Sequence, residues 1–307
     1  MSQKQDLLKR IEALEISKKL IDDEIAQAKN SLEEIEAKQQ AAWEENPYAK
    51  DRTTRRLADY CRSLGYFIVG CQTKEPDSRF YAIAKTILKR REDAVPFLKE
   101  LYRHGDKEFS YSIAELPADR KTDLLNICTK MKANGWISFT NSKSELLVTS
   151  SFPKTDRNFL NGGWAEDANR YLVNKVLTDY SRSHKLKFKV FWDVRLKQID
   201  SDRSNSHDMQ LDLAVQINDI FYIFETKSGV LGIQKWVERA AIFSQNGNRF
   251  MTCCVNYSSV NPKLFQPYRL LALEHLEEQL IELLDYDFPP PKPDCGQMQV
   301  SPTVQQH

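Results

Sequence analysis

With 307 residues, the chain is too long for one ordinary hydrophobic core, and two or three modules are expected. Lys and Arg number 44 against 43 Asp and Glu, so the net charge of +1 argues against a general electrostatic attraction to nucleic acid or to an anionic membrane. Any such binding must come from local patches. Residues 1–45 are net acidic and residues 50–92 are net basic, so the charge is segregated along the chain.

The cysteine pattern and the hydropathy of the chain indicate the cellular compartment in which it works. The six cysteines form no CxxC pair and have no His at zinc-ligand spacing, which argues against a structural zinc site and a disulfide framework. No stretch approaches the roughly 18 consecutive apolar residues that span a bilayer, and the first segment is a charged helical pattern instead of a signal peptide. We therefore expect a cytoplasmic protein without membrane association.

A seven-residue apolar repeat runs through residues 1–46. Because the flanking positions are charged or polar, this narrow seam can be buried only against a similar helix. We expect a coiled-coil homodimer that ends before Pro47, with Lys18 fixing the register or the oligomeric state. A helix packed back on its own chain is the alternative. The heptad d positions carry Leu7, Leu14, Ile21, Ala28 and Ile35, and the a positions carry Ile11, Lys18, Ile25, Leu32 and Gln39.

Two modules are expected between the coiled coil and the C-terminal half. Residues 47–92 have the pattern of a helical, basic linker segment. Residues 93–152 follow the order of a winged-helix domain, with helices predicted at 94–103, 113–116 and 120–133 and a hairpin at 136–140 and 145–149. The third helix of such folds can enter a major groove, but winged helices also act as interdomain spacers. The sequence leaves both roles open for the helix that carries Arg120, Lys121, Lys130 and Lys132.

The most informative pattern lies in residues 153–285, ahead of a Pro-rich polar tail, residues 286–307, that is predicted to be disordered. A helix predicted from residue 164 presents Glu166, and a predicted hairpin of strands 210–217 and 220–227 follows. Because side chains alternate faces along a strand, Glu225 and Lys227 share one face, which Asp212 on the neighbouring strand can share. An unpartnered carboxylate in so apolar a strand would cost several kcal/mol.

A divalent cation would supply that partner. Asp212 and Glu225 offer the hard oxygen atoms that Mg²⁺ and Mn²⁺ prefer, and Glu166 can complete the set directly or through water. The carbonyl of Thr226 is a further candidate ligand. The metal would activate a water molecule and neutralise charge growing on phosphorus, while the ammonium of Lys227 orients the attack or stabilises the developing anion.

Glu166, Asp212 and the tripeptide Glu225-Thr226-Lys227, in this order, resemble the PD-(D/E)xK nuclease pattern. Their flanks, Gly-Gly-Trp-Ala-Glu, Leu-Asp-Leu-Ala-Val and Tyr-Ile-Phe-Glu-Thr-Lys-Ser-Gly, resemble the nuclease domain of CRISPR-associated ancillary effectors activated by cyclic oligoadenylates. The resemblance covers about residues 160–260. It implies an α/β, restriction-endonuclease-like mixed sheet flanked by helices, a homodimer, and Mg²⁺- or Mn²⁺-dependent cutting of nucleic acid with a preference for single strands.

The chain also departs from that family. Gln210 stands where an acidic residue or Asn often precedes the Leu-Asp pair. Residues 1–92 show no sensor domain with repeated βα units, so activation by a cyclic nucleotide is not carried over.

The sequence therefore predicts a metal-dependent endonuclease that cuts DNA, with RNA as a second candidate substrate, in defence against phage or mobile elements. Two alternatives stay open. One is a DNA-binding regulator or assembly protein with an inactive nuclease-like fold. The other is a nuclease subunit that cuts only after an activating protein partner docks on its coiled coil.

Overall fold

A computed structural model of the chain describes residues 3–74, 78–199, 209–227, 233–245, 247–254 and 269–289. The chain divides into two compact units. Unit 1 comprises residues 1–71 and 193–210, and unit 2 comprises residues 72–192 and 211–307. None of the described helices has the length and apolar composition that a bilayer crossing requires.

Unit 1 begins with a long helix. This helix, α1, spans Gln3–Glu45 and ends before Pro47, as predicted. A single turn, α2 (Pro47–Lys50), follows at once, and the side chain of Asn46 caps it by accepting a hydrogen bond from the Tyr48 N–H at 2.9 Å. Helix α3 (Arg55–Ser63) and strand β1 (Tyr66–Gln72) complete the first stretch of the unit.

The last turns of α1 are held by the rest of unit 1. Arg62 of α3 donates to the side chain of Gln40 at 2.8 Å, and its guanidinium lies 4.8 Å from the ring centroid of Trp43. Trp43 in turn stacks on Phe67 of β1. The preceding residues, 5–38, are all exposed. Among the residues of α1 whose exposure the structure describes, those packed within the unit lie at its C-terminal end.

The first part of unit 2 contains three helices and a small antiparallel sheet. The three strands follow the order β2-β4-β3, and the predicted hairpin is β3 and β4. Most predicted elements are present within a few residues of their expected bounds. The elements are α4 (Ser78–Lys89), α5 (Arg91–His104), β2 (Phe109–Ser112), α6 (Ala118–Ala133), β3 (Ile137–Asn141) and β4 (Glu145–Ser150).

The short helix predicted at residues 113–116 is wrong. The segment is a turn in which the N–H of Leu116 donates to the carbonyl of Ile113. Two physical reasons explain why this segment forms a turn and not a helix. Ile113 is buried and its N–H donates to Ser144 beside the hairpin, which fixes the chain in an extended exit from β2. Leu116 also precedes Pro117, and a residue before proline is disfavoured in the helical conformation.

The larger sheet is mixed, as predicted for an α/β fold. Its six strands follow the order β1-β5-β6-β7-β8-β9. The β6–β7 pair is antiparallel, whereas the β7–β8 and β8–β9 pairs are parallel. The strands that follow β4 are β5 (Phe188–Gln198), β6 (Met209–Ile217), β7 (Ile220–Lys227), β8 (Arg249–Cys254) and β9 (Arg269–Ala272).

Three helices accompany these strands in unit 2: α7 (Trp164–His184), α8 (Ile233–Phe243) and α9 (Leu276–Asp287). Helix α7 contacts α4, α9 and β7, so its buried face joins the helical part of the unit to the sheet. The core that results includes Trp164, Val173 and Tyr222. It sets the first turn of α7 against the end of β7, where the predicted site residues lie.

The predicted start of the disordered tail is also wrong at its first residues. Residues 286–287 belong to α9, because Asp287 is anchored from two strands. The hydroxyl of Tyr222 donates to its Oδ2 at 2.7 Å, and Arg249 donates to its Oδ1 at 2.8 Å. Residues 290–307 lie outside the described part of the chain.

Candidate active site

The β6–β7 hairpin brings the predicted acidic residues together. Its register pairs Leu213 with Phe224, so one step further along the two strands sets Asp212 beside Glu225. The Oδ2 atom of Asp212 accepts a hydrogen bond from the backbone N–H of Thr226 at 2.7 Å. Directly opposed residues of an antiparallel pair project to the same face. The two carboxylates are therefore neighbours on one face, as the alternation of the sequence predicts.

Glu225 is the most deeply buried of these carboxylates, with 1% of its surface exposed. Arg239 of α8 donates to its Oε1 atom at 2.8 Å. The ammonium of Lys227, two residues along the same strand, lies 3.9 Å from Oε2. Each carboxylate oxygen of Glu225 thus faces a different cation.

Glu166 of α7 lies close to the carboxylate pair of Asp212 and Glu225. It lies in the first turn of that helix and is partly buried, 3.6 Å from Arg170 one turn further on. Burial, and then the charge of Asp212, raise the pKa of Glu166 to about 7, while Arg170 and Lys227 act in the opposite direction. The structure therefore brings all four predicted catalytic residues within electrostatic reach of one another.

The carboxylates of this cluster hold protons more tightly than exposed ones do. Burial first, and the charge of Asp212 second, raise the pKa of Glu225 to about 8, against the opposing effects of Arg239 and Lys227. Burial also raises the pKa of Asp212, although the Thr226 N–H and nearby cations stabilise its ionised form. Buried carboxylates with raised pKa values in one place are typical of functional sites.

The donor set suits a hard divalent cation. Asp212 and Glu225 contribute adjacent carboxylates, which repel each other when both are ionised, and a bound cation would relieve that repulsion. Within the described part of the chain, no three or more His, Cys, Asp or Glu side chains converge closely enough to form a metal cluster. Asp212 and Glu225 stay candidates for direct ligation, and Glu166 stays a candidate for ligation directly or through water, as predicted from the sequence.

Three further residues belong to this site and were not predicted from the sequence. Arg239 binds Glu225 from α8, and Asp167, whose pKa burial raises to about 6, lies 3.4 Å from Arg170. The Nδ2 of Asn169 donates to Oγ1 of Thr226 at 2.8 Å, while its Oδ1 is buried without a hydrogen-bond partner. The spacing of Asn169, one turn after Glu166, was a usable signal. Nothing in the sequence links Arg239 to Glu225.

Replacing Arg239 with Ala is expected to lower the free energy of unfolding by about 1.5 kcal/mol, because it removes a buried hydrogen bond to a charged group. The loss should be larger at alkaline than at mildly acidic pH, since a protonated Glu225 needs no cation. Urea unfolding at several pH values measures it. In a Glu225→Gln background the same change should cost little and show no pH dependence. An equal, pH-independent loss in both backgrounds contradicts the proposed ion pair.

The basic residues of α6 have intramolecular partners. Arg120 donates to both carboxylate oxygens of the buried Asp93, each at 2.5 Å. Lys121 donates to the carbonyl of Ala114 at 3.2 Å. The ammonium of Lys130 lies 2.8 Å from Oγ1 of Thr86, and that of Lys132 lies over the ring of Phe139. These contacts favour a packing role for α6, one of the two roles that the sequence left open.

A substitution at Arg120 separates the two roles. We expect Arg120→Ala to lower the thermal midpoint of unfolding, because Asp93 keeps a buried charge that has lost its bidentate partner. Asp93→Asn should lower it by a similar amount. Retardation of DNA in a gel, if the native chain shows it, should be unchanged in both variants. A selective loss of retardation in Arg120→Ala, with thermal stability kept, would instead indicate that α6 contacts DNA.

Comparison with known proteins supports the fold alone. The chain matches no protein-family model and no curated protein. Among solved structures it is similar to protein VC1899 from Vibrio cholerae, with a TM-score of 0.50 and 17% sequence identity. The match covers 75% of this chain and 60% of that one, so this chain spans less than two thirds of the other protein's length. The likeness is one of mixed α/β architecture.

Proposed function

We propose that unit 2 is a metal-dependent nuclease that hydrolyses phosphodiester bonds of nucleic acid. One observation carries the proposal: Asp212 and Glu225 lie side by side on a buried antiparallel strand pair, with Lys227 close to Glu225. Burying two carboxylates costs free energy, and their raised pKa values are the sign of that cost. A site that binds a cation and a phosphate explains why so apolar a hairpin keeps them.

Asp212 and Glu225 would hold a Mg²⁺ or Mn²⁺ ion, with Glu166 acting through water and the carbonyl of Thr226 as a further candidate ligand. When bound, the ion supplies Lewis acidity to the phosphate and to the attacking water. Its net charge would also favour the ionised forms of all three carboxylates, so it would lower their pKa values from the raised ones described above.

The residues of the chain orient the reactants. The Thr226 N–H fixes the Asp212 carboxylate by its hydrogen bond, and Arg239 fixes that of Glu225. Lys227 is the candidate for positioning the attacking water or stabilising negative charge on the phosphoryl oxygens, because its ammonium projects from the same face as Glu225. Arg170, whose Nε is buried without a hydrogen-bond partner, adds positive charge beside Glu166.

The proposed substrate is DNA, with single strands accepted and RNA as the second candidate. This choice follows the resemblance to the CRISPR-associated nucleases, as does the proposed role in defence against phage or mobile elements. The residues from α5 to β4 are proposed to form a winged-helix module. Since the basic side chains of α6 are engaged within unit 2, we propose that the module acts as a spacer instead of a DNA reader.

The competing function is a DNA-binding regulator or assembly protein with an inactive nuclease-like fold. One experiment distinguishes the nuclease from the regulator. The full chain is incubated with single-stranded DNA, plasmid DNA and RNA in the presence of Mn²⁺, and the same mixtures are run on a native gel. The proposal predicts fragments of at least one substrate. Retardation of DNA without any fragments supports the regulator. If cutting begins only when a cell extract is added, the nuclease depends on an activating partner.

A further inference from the structure

Residues 5–38, most of the length of α1, present an uncovered apolar seam. The heptad a and d side chains from Leu7 to Ile35 are all exposed. Among the large apolar ones, the exposed fraction runs from 47% at Ile35 to 69% at Leu14. Every residue from 5 to 38 is exposed, so nothing within the described part of unit 1 covers this stretch. An isolated helix gains little stability from its own hydrogen bonds in water, and most helical stability comes from packing an apolar face. The seam therefore requires a covering partner.

We propose that this seam is covered by a second copy of the same chain, in a parallel, in-register, two-stranded coiled coil. The inference concerns α1 alone and is independent of the proposed nuclease activity. It goes beyond the dimer expected from the heptad pattern, because it fixes the direction and register of the two helices. Ile11 at a and Leu14 at d follow the pattern that favours two strands, whereas Leu32 at a and Ile35 at d follow that of larger assemblies. The choice of two strands therefore rests on the polar Lys18 layer and on the charge pairs between the helices.

Charge complementarity selects the parallel orientation. In a parallel coiled coil each g position faces the e position five residues further along the other helix. Arg10 then faces Glu15 of the second copy, and Glu24 faces Lys29 of the second copy. Both pairs are attractive, and the two-fold symmetry of the dimer forms each of them twice. Of the remaining g positions, 3, 17 and 31 carry uncharged side chains and Lys38 faces Trp43, so no g–e pair of this arrangement is like-charged. Its one pair of like charges is formed by the two Lys18 side chains, which share an a layer.

The antiparallel arrangement that keeps every layer filled brings like charges together. In this arrangement each a residue lies opposite a d residue of the second copy, and the two residue numbers add up to 46. Ile11, for example, lies opposite Ile35, and the two helices cross their midpoint at residue 23. Asp22 would then lie beside Asp22 of the second copy, and Glu24 beside Glu24 of the second copy. Arg10 would face Lys38. Only Glu15 and Lys29 would attract each other, so the repulsive contacts outnumber the attractive ones.

In the parallel arrangement the two Lys18 side chains share one a layer, and acidic neighbours on each helix offset their repulsion. Glu15 precedes it by three residues and Asp22 follows it by four, so both acidic residues flank it on its own helix face. A long lysine side chain can cover the apolar layer with its stem and carry its ammonium out to these carboxylates. Polar residues at single a positions fix register in this way, at some cost in stability.

The parallel orientation has a consequence for the assembly. Both chains leave the coiled coil next to each other at Glu45, so the C-terminal parts of two copies are tethered at the same end. Antiparallel helices would instead separate the two exits by the length of α1, which is 43 residues or about 65 Å at 1.5 Å rise per residue.

Disulfide cross-linking of the full chain tests the orientation. In the parallel dimer the two Leu14 side chains face each other at a d layer, so Leu14→Cys treated with diamide should shift most of the protein to twice its mass on a non-reducing gel. Asn30→Cys lies at an f position on the opposite side of the helix and should stay at the level of the unchanged chain, which controls for the native cysteines. Antiparallel helices would set Leu14 against Leu32, so only a mixture of Leu14→Cys and Leu32→Cys chains would cross-link.

Charge exchange gives a second readout in case the cysteine weakens the seam. Arg10→Glu or Glu15→Arg alone should raise the dissociation constant of the dimer in sedimentation, and the double variant should restore it. A monomer or trimer for the unchanged chain overturns the proposal. Cross-linking confined to the Leu14→Cys and Leu32→Cys mixture overturns it too, as does a double variant that is weaker than both single ones.

Discussion

Asp212→Asn is expected to reduce nucleic acid cleavage at least about 10³-fold, as loss of a residue central to catalysis commonly does. The substitution keeps the size of the side chain, and the amide oxygen can still accept the Thr226 N–H, so the hairpin should remain folded. It removes the negative charge that a divalent cation requires. Single-turnover cleavage of a labelled strand, with unfolding followed on the same samples, measures both effects.

Asp219→Asn is the matched control for this variant. Asp219 lies exposed in the turn of the same hairpin, away from the carboxylate pair, and its neutralisation should leave cleavage unchanged. An Asp212→Asn protein that cuts as fast as the native chain would remove Asp212 from the reaction. A loss of cleavage that accompanies unfolding would instead show a structural role for its charge.

Glu225→Gln is expected to abolish cleavage and, in the absence of metal, to make the protein less sensitive to alkaline pH. The reason is the burial of Glu225, which raises its pKa from 4.5 to about 8. Between these values the folded state holds a proton that the unfolded state has released, so the free energy of unfolding falls as pH rises. Gln carries no titrating proton, so this part of the pH dependence should vanish.

Unfolding in urea across this pH range, with and without Mn²⁺, tests the expectation. Mn²⁺ should stabilise the native chain more at the alkaline end, because cation binding requires ionised carboxylates, and it should stabilise Glu225→Gln much less. The opposite sign, a native chain that gains stability relative to the variant as pH rises without metal, would contradict the raised pKa. Equal stabilisation of both proteins by Mn²⁺ would place cation binding elsewhere.

Local patterns in the sequence were enough to predict the hairpin and its carboxylates. Period-two alternation and the Asn218-Asp219 turn set the register, and the register sets Asp212 beside Glu225. The end of α1 before Pro47 and the hairpin after α6 follow from equally local chemistry. These features could be predicted because neighbouring residues alone determine them.

Long-range contacts account for what the sequence did not reveal. Arg239 binds Glu225 only because α8 packs on the sheet after β7, and no spacing rule encodes that position. The ion pair of Arg120 with Asp93 joins α6 to α5. The basic pattern of α6 left DNA contact open as a role because the sequence does not show this internal bond. The extension of α9 to Asp287 depends in the same way on Tyr222 and Arg249 of distant strands.

The proposed activity is hydrolysis of nucleic acid by the Asp212, Glu225 and Lys227 centre with a divalent cation. Its most direct test is cleavage of a labelled single-stranded DNA by the full chain with Mn²⁺, then with EDTA, and then with Mn²⁺ restored, beside Lys227→Ala in each condition. The proposed activity predicts fragments that stop forming with EDTA, resume when Mn²⁺ is restored, and are absent throughout with Lys227→Ala. Cutting that persists in EDTA, or that Lys227→Ala performs at the native rate, would contradict it.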